Sequence, residues 1–156
     1  MSDKRKALFI DRDGTINYDS GYIHEPDKIK IYADAQNMIK NYKSLGYIII
    51  IVTNQSGIGR KYFTEKDCIT FNKELSHRLS DNGAVIDNVY HCPHIPEDNC
   101  NCRKPKTGLI EMAVNDYNID LKNSIVVGDR DDIEGEMARR LGIKYIILGG
   151  DRKFVD

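Results

Sequence analysis

The sequence predicts an α/β fold built on a doubly wound parallel sheet, and three observations predict it. Short apolar, β-branched runs alternate with stretches of helical period, the pattern of parallel strands joined by crossover helices. The run Tyr47 to Val52 is continuously apolar, as expected of a strand covered on both faces. Two runs end in acids, Asp11 and Asp13 after the first and Asp129 after Gly128, and a third ends in Thr53-Asn54-Gln55-Ser56-Gly57. Ligands of such sheets bind beyond the C-terminal ends of the strands. Asp11, Asp13, Thr53 and Asp129 are therefore predicted to converge there.

Ala7 to Ile10 reads as a buried strand. If extended geometry persists beyond it, Asp11 and Asp13 face one point, because residues two apart share a face. Gly14 then lets the chain turn away without a Cβ in its path. Two like charges at close quarters are costly unless a cation lies between them. Magnesium fits, since it takes hard oxygen ligands and is commonly shared with substrate phosphates. The second carboxylate is left free as a nucleophile or proton donor.

Ile16 to Ile31 keeps no sustained period and reads as an ordered loop or small flap. Asp34 is predicted to cap a helix running to about Leu45, which Gly46 ends. After the strand 47–52, the small hydroxyl, amide and glycine residues of Thr53 to Arg60 suit backbone contact with a phosphate. Thr64 with Asp67 resembles a capping box opening a helix to about Asn82. Ala84 to His91 reads as a third strand, Thr107 to about Tyr117 as a helix, and Ser124 to Gly128 as a fourth strand. Ile133 to Leu141 is predicted helical and is stopped by Gly142; Tyr145 to Leu148 is the last strand. Gly149 to Asp156 is expected to be a frayed terminus. One domain over residues 1–156 is expected, with no large cap domain.

Lys and Arg number 23 against 24 Asp and Glu, a formal net charge of -1, so no basic excess argues for nucleic acid. Residues 1–6 are polar with no apolar signal core behind them, and no run is long enough to cross a bilayer. A cytoplasmic protein free of the membrane is expected.

Cys92-Pro93-His94 and Cys100-Asn101-Cys102 supply three thiolates and one imidazole within residues 92–102, the ligand set of a closed tetrahedral structural zinc site. Because the protein fills all four positions, this zinc is predicted to staple the loop rather than to hold a reactive water. Cys68 stands alone in a helix; His91 is a weaker fifth ligand, and His24 and His77 are assigned to the surface. Arg103 and Lys104 follow the loop directly and are placed to be aimed into the site, where a guanidinium fork and a compact ammonium both suit phosphate.

Asp11-Arg12-Asp13-Gly14-Thr15, Thr53-Asn54-Gln55-Ser56-Gly57, the cysteine-histidine loop ending in Arg103-Lys104-Pro105, and Gly128-Asp129 together resemble the haloacid dehalogenase-like phosphatases. More narrowly they resemble the zinc-containing branch of heptose bisphosphate and histidinol-phosphate phosphatases, from about Leu8 to Leu148. The resemblance implies a Rossmann-like fold and a two-step hydrolysis of a phosphomonoester. Asp11 would be the nucleophile and Asp13 the acid and base. Magnesium would be held by the Asp11 carboxylate, the Asp13 carbonyl and Asp129. Thr53 and Lys104 would hold the phosphoryl oxygens, and Arg103, Arg130, Asp19, Ser20, Gly21, Tyr22, Asn54, Gln55 and Ser56 the rest of the substrate. Cys92, His94, Cys100 and Cys102 would carry zinc.

Within the branch, Ile16 to Glu25 and Asn54 to Arg60 look heptose-type, while the short stretch between His94 and Cys100 also resembles histidinol-type enzymes. The expected substrate is a small phosphorylated sugar, a heptose bisphosphate ahead of histidinol phosphate, met by a monomer. The family places a further acid four or five residues after the Asp129 equivalent. Position 133 is isoleucine, so Asp131 or Asp132 is expected to support the magnesium. A zinc or phospho-ligand module without chemistry would leave the Asp11 and Asp13 pair an unneeded electrostatic cost.

Overall fold

A computed structural model describes residues 3–156. Five parallel strands, β1 (Ala7–Ile10), β2 (Ile48–Asn54), β3 (Asn88–Cys92), β4 (Ile125–Gly128) and β5 (Lys144–Ile147), lie in the order β3-β2-β1-β4-β5. Register is set by pairs such as Phe9 with Ile50 and Phe9 with Val126. The order reverses at β1, so the crevice beyond β1, β2 and β4 is the ligand position of a doubly wound sheet.

Alternation along the strands divides the core into two layers. Leu8, Ile10, Ile49, Ile51 and Val127 face α1 (Ala33–Ser44) and α3 (Glu65–Asp81), through Ala35, Ile39, Phe71, Leu75 and Leu79. Phe9, Ile50, Val52 and Val126 face α4 (Gly108–Tyr117) and α5 (Glu136–Leu141), through Leu109, Ile110, Ala113, Met137 and Ala138. Between β2 and α3 comes one short turn, α2 (Ser56–Gly59). The capping box of Thr64 and Asp67 is present in both directions, and Gly46 and Gly142 end their helices at positive φ.

Four expectations are corrected. Asp34 is not the cap of α1: Tyr32 holds that position, and the Asp34 carboxylate accepts from Ala35 N at 2.7 Å. The third strand begins at Asn88 rather than Ala84, because the Asp87 carboxylate takes the Ile49 N–H (2.7 Å) that a longer ladder would use. Helix does not start simply at Ile133: Asp131–Gly135 forms a single π turn that feeds α5. The segment 149–156 is docked, not frayed. Ala33 N donates to Lys153 O (2.8 Å), Val155 N donates to Ile31 O (2.7 Å), and Phe154 stacks on Tyr32 with centroids 4.7 Å apart.

The flap after β1 is anchored by Ile16, Ile23, Ile29 and Ile31, all buried in the α1/α3 layer. Its tip is held sideways, Tyr22 edge-on to Tyr62 (4.9 Å) and His24 stacked on Phe63 (4.7 Å).

Candidate active site

Beyond the ends of β1, β2 and β4 opens a cavity of about 350 Å³. Asp11, Asp13, Thr53, Lys104 and Asp129 line it, as do Asp19, Gly21, Tyr22, Asn54, Gln55, Ser56, Arg103 and Arg130. Ser20 does not: it is exposed at the flap tip, on the far side of the turn that the Asp19 carboxylate closes by accepting from Gly21 N at 2.9 Å. Three further residues, Gly57, Ile133 and Glu134, complete the wall.

At its floor is a buried ion cluster. The Lys104 ammonium, 2% exposed, donates to Asp11 Oδ1 (2.8 Å), Glu134 Oε2 (2.9 Å) and the Val52 carbonyl (2.8 Å). All three ammonium hydrogens are thereby used, which is what a buried lysine requires. Burial alone would lower its pKa, but Asp11 and Glu134 hold it above the ordinary lysine value. The backbone of Lys104 is fixed from β2, where Asn54 accepts from its N–H (2.9 Å) and donates to its carbonyl (3.1 Å). The second oxygen of Asp11 accepts from Thr15 Oγ1 at 3.1 Å.

Asp13 faces the same cavity but is bound by different groups. Arg12, fully buried against the Phe71 ring, grips it with two parallel bonds, Nε to Oδ1 at 2.7 Å and Nη2 to Oδ2 at 2.9 Å. Asn17 and Gln55 donate to it at 3.1 and 3.0 Å, and Gln55 also donates to Thr53 Oγ1 at 2.9 Å. Asn54 and Gln55 thus spend their amides positioning Lys104, Asp13 and Thr53.

Oxygen atoms of Asp11, Asp129 and Glu134 all lie within 4.8 Å of one another. Burial first, and the Asp11 charge second, push the Asp129 carboxyl up to about 6. Burial likewise raises Glu134, against the pull of Lys104. Three hard oxygens, short of positive charge and within one coordination sphere, fit magnesium. The fit is close: a Cβ on Gly14 would collide with the Asp129 carboxylate, and one on Gly128 with the Glu134 side chain.

Neither Asp131 nor Asp132 joins this triad. Both are exposed at the surface, where Asp131 pairs with Arg139 (3.1 Å) and Asp132 with Arg130 (2.6 Å). The π turn carries one extra residue per turn and so brings Glu134, not its neighbours, over Gly128.

A second cluster lies beside the cavity. Cys92 Sγ, His94 Nδ1, Cys100 Sγ and Cys102 Sγ lie within 4.8 Å of one another. Their closest spacings are 2.9 to 3.6 Å. Zinc with bonds of about 2.1–2.3 Å separates its ligands by roughly 3.4–3.8 Å, so a small adjustment closes the tetrahedron. Burial is the largest single influence on the Cys100 thiol and raises it, but the N–H groups of Cys102 and Arg103 with the neighbouring thiols outweigh it and lower the thiol to about 6, favouring the thiolate that a metal needs. Lys106 braces the loop by donating to the Cys100 carbonyl at 2.5 Å, and Gly108 N closes it by donating to Asn101 O at 3.0 Å.

The family model described as "Polynucleotide kinase 3 phosphatase" matches residues 6–140. A Thermoplasma volcanium protein named "Probable D-glycero-D-manno-heptose-1,7-bisphosphate 7-phosphatase" is 53% identical over 143 residues, 92% of this chain and 98% of its own length. The chain belongs to the haloacid dehalogenase-like phosphatases. A Yersinia pestis D-glycero-beta-D-manno-heptose-1,7-bisphosphate 7-phosphatase is 36% identical over 158 residues, covering 96% of this chain and 84% of that one. Among solved structures, the D,D-heptose 1,7-bisphosphate phosphatase of B. bronchiseptica, complexed with magnesium and phosphate, superposes with a TM-score of 0.82. That match is at 29% identity and covers 91% of this chain and 79% of that one.

For a phosphatase of this family, sequence reasoning missed Glu134, Arg12, Thr15 and Asn17. Glu134 carried a usable signal, since it stands five residues after Asp129. Arg12 carried one too, as a cation between two aspartates. Thr15 and Asn17 carried none that separates them from ordinary turn residues.

Proposed function

We propose that this protein removes the 7-phosphate of D-glycero-D-manno-heptose 1,7-bisphosphate in a magnesium-dependent, two-step hydrolysis. One observation carries the reading. The Asp11 carboxylate is presented at a strand end into the cavity, one oxygen on Lys104 and the other on Thr15, with Asp129 and Glu134 beside it. The shared name of relatives at 36–53% identity supports the substrate.

In the first step an Asp11 carboxylate oxygen bonds to phosphorus while the bond to the sugar oxygen breaks. Protonated Asp13 gives its proton to that departing oxygen. In the second step Asp13, now a carboxylate, takes a proton from water as the water oxygen bonds to phosphorus and the Asp11–phosphorus bond breaks. Asp11 returns as a carboxylate and Asp13 as an acid, so both are restored. Lys104 and the Thr53 hydroxyl hold the phosphoryl oxygens, whose charge changes most along the path. Asp11, the Asp13 carbonyl, Asp129 and Glu134 would hold magnesium, which when bound screens the nucleophile from the phosphate it attacks.

Arg103 and Arg130, with Asp19, Tyr22 and Ser56, would bind the remainder of the sugar. Arg103 Nη1 is buried at the cavity wall without a partner in the protein, a donor left for a ligand. The zinc loop, acting as a staple within one catalytic domain, would aim Arg103 and Lys104. The same reading takes the protein as a monomer acting in the cytoplasm on a soluble sugar phosphate. Among the described residues no helix is long and apolar enough to cross a membrane.

Phosphate release with magnesium, comparing both anomers of the heptose bisphosphate with histidinol phosphate, tests the reading. A strong preference for one bisphosphate anomer is expected. Preference for histidinol phosphate would overturn the substrate and leave the chemistry. No release from any of them would overturn the chemistry itself.

A further inference from the structure

The segment 149–156 does more than cover the sheet edge. Arg152, its side chain 7% exposed, crosses from this segment to the outer side of the Asp11–Thr15 loop. There its Nη1 donates to the Gly14 carbonyl at 2.8 Å and its Nη2 to the Thr15 carbonyl at 2.6 Å. The same guanidinium holds both oxygens of Asp34, at the start of α1, through Nε (2.8 Å) and Nη2 (2.7 Å). Its face lies 3.9 Å from the centre of the Tyr32 ring. One side chain therefore ties two backbone carbonyls and one carboxylate to a single cation.

The inner side of this loop is the catalytic one. Thr15 Oγ1 donates to Asp11 (3.1 Å) and to Asp129 (3.4 Å), the two carboxylates that flank the magnesium position. Gly14 packs so tightly on Asp129 that no Cβ fits between them. A shift of these two residues moves both carboxylates together. We infer that Arg152 is a positioning residue of the phosphatase, setting the spacing of the Asp11 and Asp129 carboxylates through the Gly14–Thr15 backbone. A lysine cannot substitute, because a single ammonium cannot span four acceptors in the plane that the guanidinium fork occupies. The inference rests on the magnesium site proposed above.

Three variants test it, read by thermal unfolding against a magnesium titration and by phosphate release. Arg152→Ala removes the clamp, and Arg152→Lys keeps the charge and the fold while losing the fork. Ile119→Val is a mild core truncation near the opposite ends of the strands, and it serves as the control for a simple loss of stability. Groups that orient metal ligands typically contribute on the order of 10- to 100-fold in metal affinity. Both Arg152 variants should shift the magnesium midpoint by about that factor in both readouts and lower kcat, with KM for the sugar phosphate unchanged within about twofold. Ile119→Val should lower Tm and leave the magnesium midpoint in place. Arg152 variants whose magnesium curves superimpose on the wild type, whatever their Tm, would overturn the inference. So would a wild-type protein whose unfolding ignores magnesium. A wild type that is stabilised by magnesium yet releases no phosphate would defeat the phosphatase reading alone, because the unfolding curves still report on Arg152.

Discussion

Replacing Lys104 with methionine asks how the acids at the cavity floor tolerate one another. The substitution keeps roughly the length of the side chain and removes its charge. Lys104 Nζ lies 2.8 Å from Asp11 and 2.9 Å from Glu134, with both partners and the lysine itself largely withdrawn from water. At an effective dielectric of about 20 each contact is a gross attraction of about 6 kcal/mol. Most of that is offset by the cost of burying the charges, and removing one member of such a buried set costs about 3–5 kcal/mol net. For a chain of this size 1 kcal/mol moves Tm by about 2–4 °C, so Lys104→Met should unfold about 6–20 °C earlier without magnesium. Added magnesium replaces the missing positive charge, so it should raise the Tm of the variant by more than it raises that of the wild type. Turnover should still fall by about 10²–10³, because in the proposed mechanism the lysine also holds the phosphoryl oxygens. The assay is thermal unfolding in magnesium-free, zinc-containing buffer, repeated with magnesium, beside phosphate release. A variant within about 1 kcal/mol of wild type without magnesium, and turning over normally, would refute the view that Lys104 neutralises this cluster.

Asp11→Asn should reduce phosphate release to below about a thousandth of wild type while circular dichroism and zinc content stay unchanged, and retained activity would remove Asp11 as nucleophile. Glu134→Gln should raise the magnesium requirement on the order of 10- to 100-fold, whereas Asp131→Asn and Asp132→Asn should change it less than about twofold; the reverse ranking would return the third acid to the surface pair. Asp129 carries a pKa raised to about 6, so its protonated form is favoured on folding. The stability it contributes to the metal-free protein is present below the unfolded carboxyl value and is lost as pH rises through about 6. Magnesium must displace that proton, so it should raise Tm at pH 7.5 much more than at pH 5, and equal shifts at the two would contradict the assignment. Elemental analysis should find about one zinc per chain, and Cys100→Ser should lose the zinc together with most turnover, since Lys104 hangs from the loop; full activity without zinc would separate the two.

The strands and the convergence of Asp11, Asp13, Thr53 and Asp129 were legible because strand period and strand ends are local properties of the chain. Ala7–Ile10 and Ile48–Asn54 are buried on both faces, and such strands announce themselves as unbroken apolar runs. The zinc loop was legible for a different reason, since its four ligands lie within residues 92–102 and need no long-range information. Arg152 was not legible. It stands in a glycine- and charge-rich stretch that reads as a loose end, and its four acceptors lie at 14, 15 and 34, more than a hundred residues away. The false start of the third strand at Ala84 has a similar origin. Nothing in Ala84-Val85-Ile86 distinguishes it from strand until the Asp87 carboxylate is seen to occupy the Ile49 N–H.

Glu134 is the more instructive miss, because its position in the sequence was visible and its direction was not. Five residues in an ordinary helix turn a side chain through about 500°, well away from the one that started the count. A π turn spends one more residue per revolution and corrects that angle. Here Asp131–Gly135 does so just after Gly128, whose missing Cβ leaves room for the Glu134 side chain to lie across β4. The longer glutamate then reaches Lys104 at 2.9 Å and lies within 4.8 Å of Asp11 and Asp129, around the proposed magnesium position. A spacing rule that takes only the fourth position after Asp129 meets Ile133 and turns back to Asp131 and Asp132, and both of those point to solvent. The irregular turn is what lets the acid at the end of β4 acquire a partner, and it places that partner where the charge of Lys104 is already waiting.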